Sequence, residues 1–194
     1  MVSKISICNL ALAQLGQSPI SSLEQEDEKA RRLNLFYEPV RDEVLRTHNW
    51  GFASAEEPLA LLEQDTLTNA FLYKYPAEAL FIRRIFAPNC PEQSLAFHER
   101  FRSDLHCRIL CVQASQAHVC YTARITDENL FDSAFIKAFS LALACDLAVA
   151  LTADTQLAAQ LLQKYTLSIE EARRSNMAEN LDIVRQTDAF TEVR

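Results

Sequence analysis

Only two glycines, Gly16 and Gly51, occur in 194 residues, so the backbone has few places to adopt conformations closed to other side chains. A loop-rich all-β protein, or an enzyme built on Gly-rich phosphate loops, needs more of them. The G-x-G-x-x-G, P-loop and G-x-S-x-G fingerprints are ruled out outright. The scarcity favours helices. With 49% hydrophobic and 23% charged residues, the chain has an ordinary globular balance and is long enough for one compact domain with a small inserted lobe.

A net charge of −7 argues against a protein that grips nucleic acid, because phosphate neutralisation needs clustered Lys and Arg. It is compatible with a protein that surrounds DNA without holding it. The opening MVSKISICNLALAQLG is too short in its apolar run, and too interrupted by Asn9 and Gln14, for a signal peptide. The most apolar stretch, 134–153, contains Lys137 and Asp146, each costing roughly 2.5–3.5 kcal/mol near a bilayer centre. A buried helix is the better reading, with no membrane partner. The six cysteines then read as reduced thiols in a cytosol.

Residues 3–16 form a helical pattern, with Ser3 or Ser6 as cap and Gly16 as stop. Ser22 and Gln25 have capping-box spacing before a second helix that runs to Thr47 and contains Pro39. In the middle, LYKYP (72–76), ALFIRRIFA (79–87), LAFHERF (95–101), HCRILCVQ (106–113) and HVCYTARI (118–125) read as short antiparallel strands after a linker at 54–70. Helix resumes with Asp132 as N-cap and again with Asp154, while residues beyond Met177 lose periodicity. The expected fold is therefore α+β, mainly α: an antiparallel helical bundle with a small inserted antiparallel β lobe. Residues 1–53 and 126–177 supply the bundle, 54–125 the linker and lobe, and 178–194 an arm, in one structural domain overall.

His106, Cys107, Cys111, His118 and Cys120 could be gathered by a hairpin as zinc ligands. The spacing opposes this: there is no C-x-x-C pair, and a turn near Ser115 puts Cys107 and Cys111 on one side, His118 and Cys120 on the other. A zinc-binding enzyme or metal-stabilised module using these residues is the alternative function. A Cys120–His98 pair lacks any local residue to orient it. No catalytic, metal or cofactor residue is expected. Arg41 and Asp42, adjacent on a helix and about 100° apart, read as surface decoration worth ~0.3–0.5 kcal/mol or as a face that meets another copy.

The segment ICNLALAQLGQSPISSLEQEDEKARRLNLFYEPVRDEVLRTHNWGFA resembles the N-terminal region of phage head–tail adaptors of the tail tubular protein A type. The likeness is carried by Asn9, Leu10, Ala11, Leu15, Gly16, Ile20, Ser21 and Leu23, then by Tyr37, Arg41, Asp42, Leu45, His48, Trp50, Phe52 and Ala53. It continues through YKYPAEALFIRRIF and YTARITDENLFDSAFIKAFSLALACDLAVALT, more weakly at 87–117, and departs at Ser133, where the family often has Pro. The resemblance implies no catalysis. It implies a ring, commonly of twelve copies, beneath the portal protein, extending the DNA channel and offering a platform to the tail (nozzle) protein. DNA would pass without sequence-specific binding, at a virion head–tail junction assembled in the host cytoplasm. Carried over, Tyr37, His48, Trp50 and Phe52 form a structural corner and Arg41, Asp42 and Arg46 contribute ring contacts. Asn180, Ile183, Val184 and Phe190 lie on a portal-binding arm.

Overall fold

The computed structural model describes residues 2–65 and 68–189, the side chains from 176 onward excepted. The chain divides into two compact units, one made of the residues up to Phe52 together with those from Thr126 on, the other of Ala53–Ile125.

The first unit is helical. α1 (Lys4–Gln14) starts at a capping box in which Ser3 Oγ accepts from the Ser6 amide at 3.2 Å and Ser6 Oγ from the Ser3 amide at 2.9 Å. It stops because Gly16 takes φ +65°, letting Gln17 N–H reach Leu12 O and Gly16 N–H reach Ala13 O. The following loop is tied back by Asn9, whose amide accepts from Ile20 N–H at 2.8 Å and donates to Ile20 O at 3.0 Å. α2 (Glu28–Thr47) begins later than the Ser22/Gln25 spacing predicts: Ser22 caps only the local turn at Glu24, and Asp27 is the N-cap. Pro39 is exposed, as is Leu35, so the carbonyl that loses its helical donor is on the solvent side.

α3 (Ser133–Thr152) starts on Asp132, whose carboxylate accepts from the Ala134 and Phe135 amides. It is long and apolar enough to cross a membrane, and half of its most apolar stretch is buried. Apolar residues run around its circumference because α1, α2 and α4 all pack on it. Phe135, Ala138, Phe139, Leu143, Ala144 and Leu147 are fully enclosed. α4 (Thr155–Ala189) starts on Asp154, which accepts from the Gln156 and Leu157 amides. It remains helical through Ala189, past the point where lost periodicity predicts an arm. Asn180, Ile183 and Val184 lie on its backbone; Phe190 lies outside the described residues.

The second unit corrects the expectation of a mainly helical bundle with a small β lobe. The chain is α+β, with 45% helix, 27% strand and two four-stranded antiparallel sheets. The strands are β1 (Ser54–Pro58), β2 (Leu61–Gln64), β3 (Phe71–Lys74), β4 (Ala79–Ala87), β5 (Cys90–Leu95), β6 (Phe97–Arg102), β7 (Cys107–Val112) and β8 (His118–Ala123). One sheet has the order β1-β8-β4-β5 and the other β2-β3-β7-β6, so the chain changes sheet between β1 and β2, β3 and β4, β5 and β6, and β7 and β8. Ile82, Ile85, Val119 and Tyr121 from the first sheet share one core with Tyr73, Leu110 and Val112 from the second. The expected single sheet omits β1, β2 and most of β5. All three are exposed edge strands and carry no alternating apolar signal.

The α3–α4 junction turns on Ala153, held at φ 54° and ψ 19° without glycine's freedom. Left-handed backbone costs a residue with a Cβ about 1–2 kcal/mol. Ala153→Gly is therefore expected to stabilise the fold by ~1 kcal/mol and raise the melting temperature by roughly 2–4 °C. A thermal melt showing no rise would contradict the assigned strain.

Candidate functional site

The segment singled out by sequence is where α2 ends. The last carbonyls of a helix lack intrahelical donors, and here the surroundings supply them. Val44 O accepts from Trp50 Nε1 at 2.9 Å and from Thr47 Oγ1 at 2.8 Å, and Thr47 O accepts from Arg173 Nη2 at 3.3 Å. The chain turns at His48 into extended backbone and drops Trp50, 2% exposed, against α3. Trp50 meets Phe135 edge-on at 5.2 Å and His48 at 4.9 Å, and Phe52 meets Phe135 at 5.1 Å and Phe131 at 5.8 Å. Phe139 extends the series to Tyr37, 4.9 Å away. The structure thus brings Tyr37, His48, Trp50 and Phe52 to one aromatic seam between α2 and α3.

A polar cluster lies at the other end of the seam. Tyr37 is buried, donates its hydroxyl to Glu128 at 3.1 Å and has Lys4 Nζ over its ring at 4.6 Å. Burial, with the Glu128 carboxylate adding to it, raises the Tyr37 hydroxyl far above its usual range. Burial likewise pushes the Cys8 thiol up to about 12, against a smaller lowering by Lys4. Glu128 was not identified from sequence, since it lies 91 positions from Tyr37 and no local pattern marks it.

Arg41 and Asp42 are not surface decoration. Arg41 is only 6% exposed, and its Nε and Nη2 donate to Asp42 Oδ1 at 2.9 and 2.7 Å. The 100° between neighbouring helix positions is bridged because the arginine side chain is long enough to fold back on the next carboxylate. Of the three residues expected at a ring contact, Arg41 is buried within one copy, Asp42 is half-buried and Arg46 is exposed.

The candidate metal ligands are not brought together. β7 and β8 do not form the expected hairpin: β7, with Cys107 and Cys111, pairs with β3 and β6, whereas β8, with His118 and Cys120, pairs with β1 and β4. His98 lies opposite Cys111, in the sheet that does not contain Cys120. Among the described residues no three His, Cys, Asp or Glu side chains are grouped to hold a metal ion. A groove of about 300 Å³ between α1, α3 and α4 is lined by Ser140, Leu141, Lys164 and Ser168 and crossed by the Lys137–Glu171 ion pair. Its serines donate back to Lys137 O and Tyr165 O in their own helices. Neither a protein-family model nor a curated protein matches the chain.

Two outcomes follow from these placements. Asp42→Ala leaves a buried guanidinium without its carboxylate and is expected to cost about 2 kcal/mol or more. Arg32→Ala, which breaks only the exposed pair with Glu28, is expected to cost ~0.5 kcal/mol. Urea denaturation of both variants tests the contrast, and equal losses would contradict it. In the folded protein at neutral pH a maleimide should label exposed Cys90 and spare Cys8, because the thiolate is the reacting form. Mass spectrometry finding Cys8 labelled first would refute that.

Proposed function

We propose that the protein is a structural head–tail adaptor of a phage or prophage. It binds the portal protein on one side and the tail on the other, and assembles with copies of itself into a ring, commonly of twelve, that continues the DNA channel. It performs no catalysis in this reading. The observation that carries the proposal is the motif of residues 37–53, whose likeness to adaptors of the tail tubular protein A type extends over most of the chain. The geometry supports it in one respect. The motif's side chains fasten a helix end: Trp50 caps and covers α2, Phe52 and Tyr37 pack on α3, and Arg41 pairs with Asp42. The acidic balance suits a wall past which DNA slides, since like charge disfavours adhesion.

The test is to mix the protein with its cognate portal and examine the product by sedimentation and negative-stain electron microscopy. An additional ring below the portal is the expected result. A portal that sediments and images unchanged, with the protein left behind, overturns the proposal.

A further inference from the structure

Leu72, Ile109 and Cys111 are 8%, 4% and 6% exposed, yet they lie on the face of the second sheet turned away from the core shared with the first. Their neighbours along the strands, Tyr73, Leu110 and Val112, are the residues that enter that core, because successive strand residues point to opposite faces. Among the described residues the outer cluster draws only on β3 and β7, with Cys107 packed against it. No further apolar layer accounts for its burial.

What spans this face is an ion pair. Glu63 on β2 stands opposite Leu72, which stands opposite Cys111 on β7, while Arg102 on β6 stands opposite Cys107. Both charged residues therefore share the face of the cluster. On a flat sheet three strand spacings and four residues would separate them by roughly 19 Å. Arg102 Nη1 nevertheless donates to Glu63 Oε1. Twist reconciles the two, since the rotation of successive strands lifts diagonally opposite corners of a sheet toward the same face. The contact then runs across the row of Leu72, Ile109 and Cys111. The same guanidinium is moored a second time by Asp104, whose two carboxylate oxygens accept from Nε at 2.9 and 3.1 Å. We infer that Arg102, held by Glu63 and Asp104, is an ionic strap over the outer face of the second sheet, and that ionic strength sets whether the face is closed or open.

The moorings are built to release. The Glu63 and Asp104 side chains are 50% and 58% exposed, and exposed pairs contribute little and are screened by salt. Arg100, on the same strand and the same face, stands opposite Ile109 and has no carboxylate partner among the described residues, so it supplies a comparison within the molecule. The strap stands on the β unit alone and does not rest on the adaptor reading.

Cys111 reports the state of the face. Its maleimide labelling rate is followed by peptide mass spectrometry, with exposed Cys90 of the same unit as reference. Arg102→Met keeps the stem and loses both pairs, Glu63→Gln loses one, and Arg100→Met makes the first change where there is no strap. Circular dichroism verifies that each remains folded. At low salt Arg102→Met should raise the Cys111 rate relative to Cys90 roughly tenfold and Glu63→Gln roughly threefold, with Arg100→Met unchanged. The wild-type ratio should rise between about 50 mM and about 1 M sodium chloride, and that of Arg102→Met should stay level. A wild-type Cys111 that labels as fast as Cys90 at low salt overturns the strap, as does equal acceleration by Arg100→Met and Arg102→Met. Should a variant fail to fold, the wild type's salt dependence decides, and its absence overturns the inference.

Discussion

The end of α2 is a set of carbonyl groups that must find donors beside an apolar helix, and Trp50 meets that requirement and covers it at once. Its indole N–H satisfies Val44 O while its ring faces Phe135, so the hydrogen bond is made where water is excluded. The rest of the helical unit follows from this anchor. With the end of α2 fixed, Tyr37 three turns earlier comes against Phe139, and Arg41 is carried inside, where its charge needs Asp42. An unpaired buried guanidinium would cost several kcal/mol, so the adjacent carboxylate is a condition of that placement. The helix end and the ion pair belong to one construction.

Helix starts were legible in the sequence where a short polar side chain alone decides the matter. Ser3, Asp132 and Asp154 cap the helices expected of them, and Gly16 ends α1 with the positive φ that glycine permits. At α2 the Ser22–Gln25 spacing misleads: the Ser22 hydroxyl accepts from the nearby Glu24 amide, and the helix begins later, on Asp27. The β unit is hard to read from sequence for a different reason. Strands betray themselves by alternation only when one face is covered, and SAEEP, LLEQ and CPEQSL lie at sheet edges with nearly every residue exposed. Two sheets consequently looked like a small lobe.

Of the site, the corner of Tyr37, His48, Trp50 and Phe52 was implied by the resemblance and not by any spacing of its own. The burial of Arg41 could not be read from sequence, since local charge patterning describes a solvated helix face equally well. Glu128 was invisible because it joins Tyr37 through tertiary structure alone. The cysteines and histidines of 106–120 illustrate the converse. Close in sequence, they are divided between two sheets by a chain that leaves one layer for the other between β7 and β8. Nearness along the chain says little about convergence in a fold whose strands alternate between layers.

The helical unit is discontinuous, and that shapes how the polypeptide reaches its native state. α1 and α2 leave the ribosome well before the helix that covers them: Tyr37 waits 91 residues for Glu128, and Thr47 waits 126 for Arg173. The β unit, contiguous in the chain, has all its partners first, and domains tend to fold as units as they emerge. Leu33, Val40, Val44 and Trp50 therefore remain without α3 through the synthesis of an entire intervening module, a long loop closure that slows collapse. Sparse glycine and early helix caps limit what those first fifty residues can do while they wait.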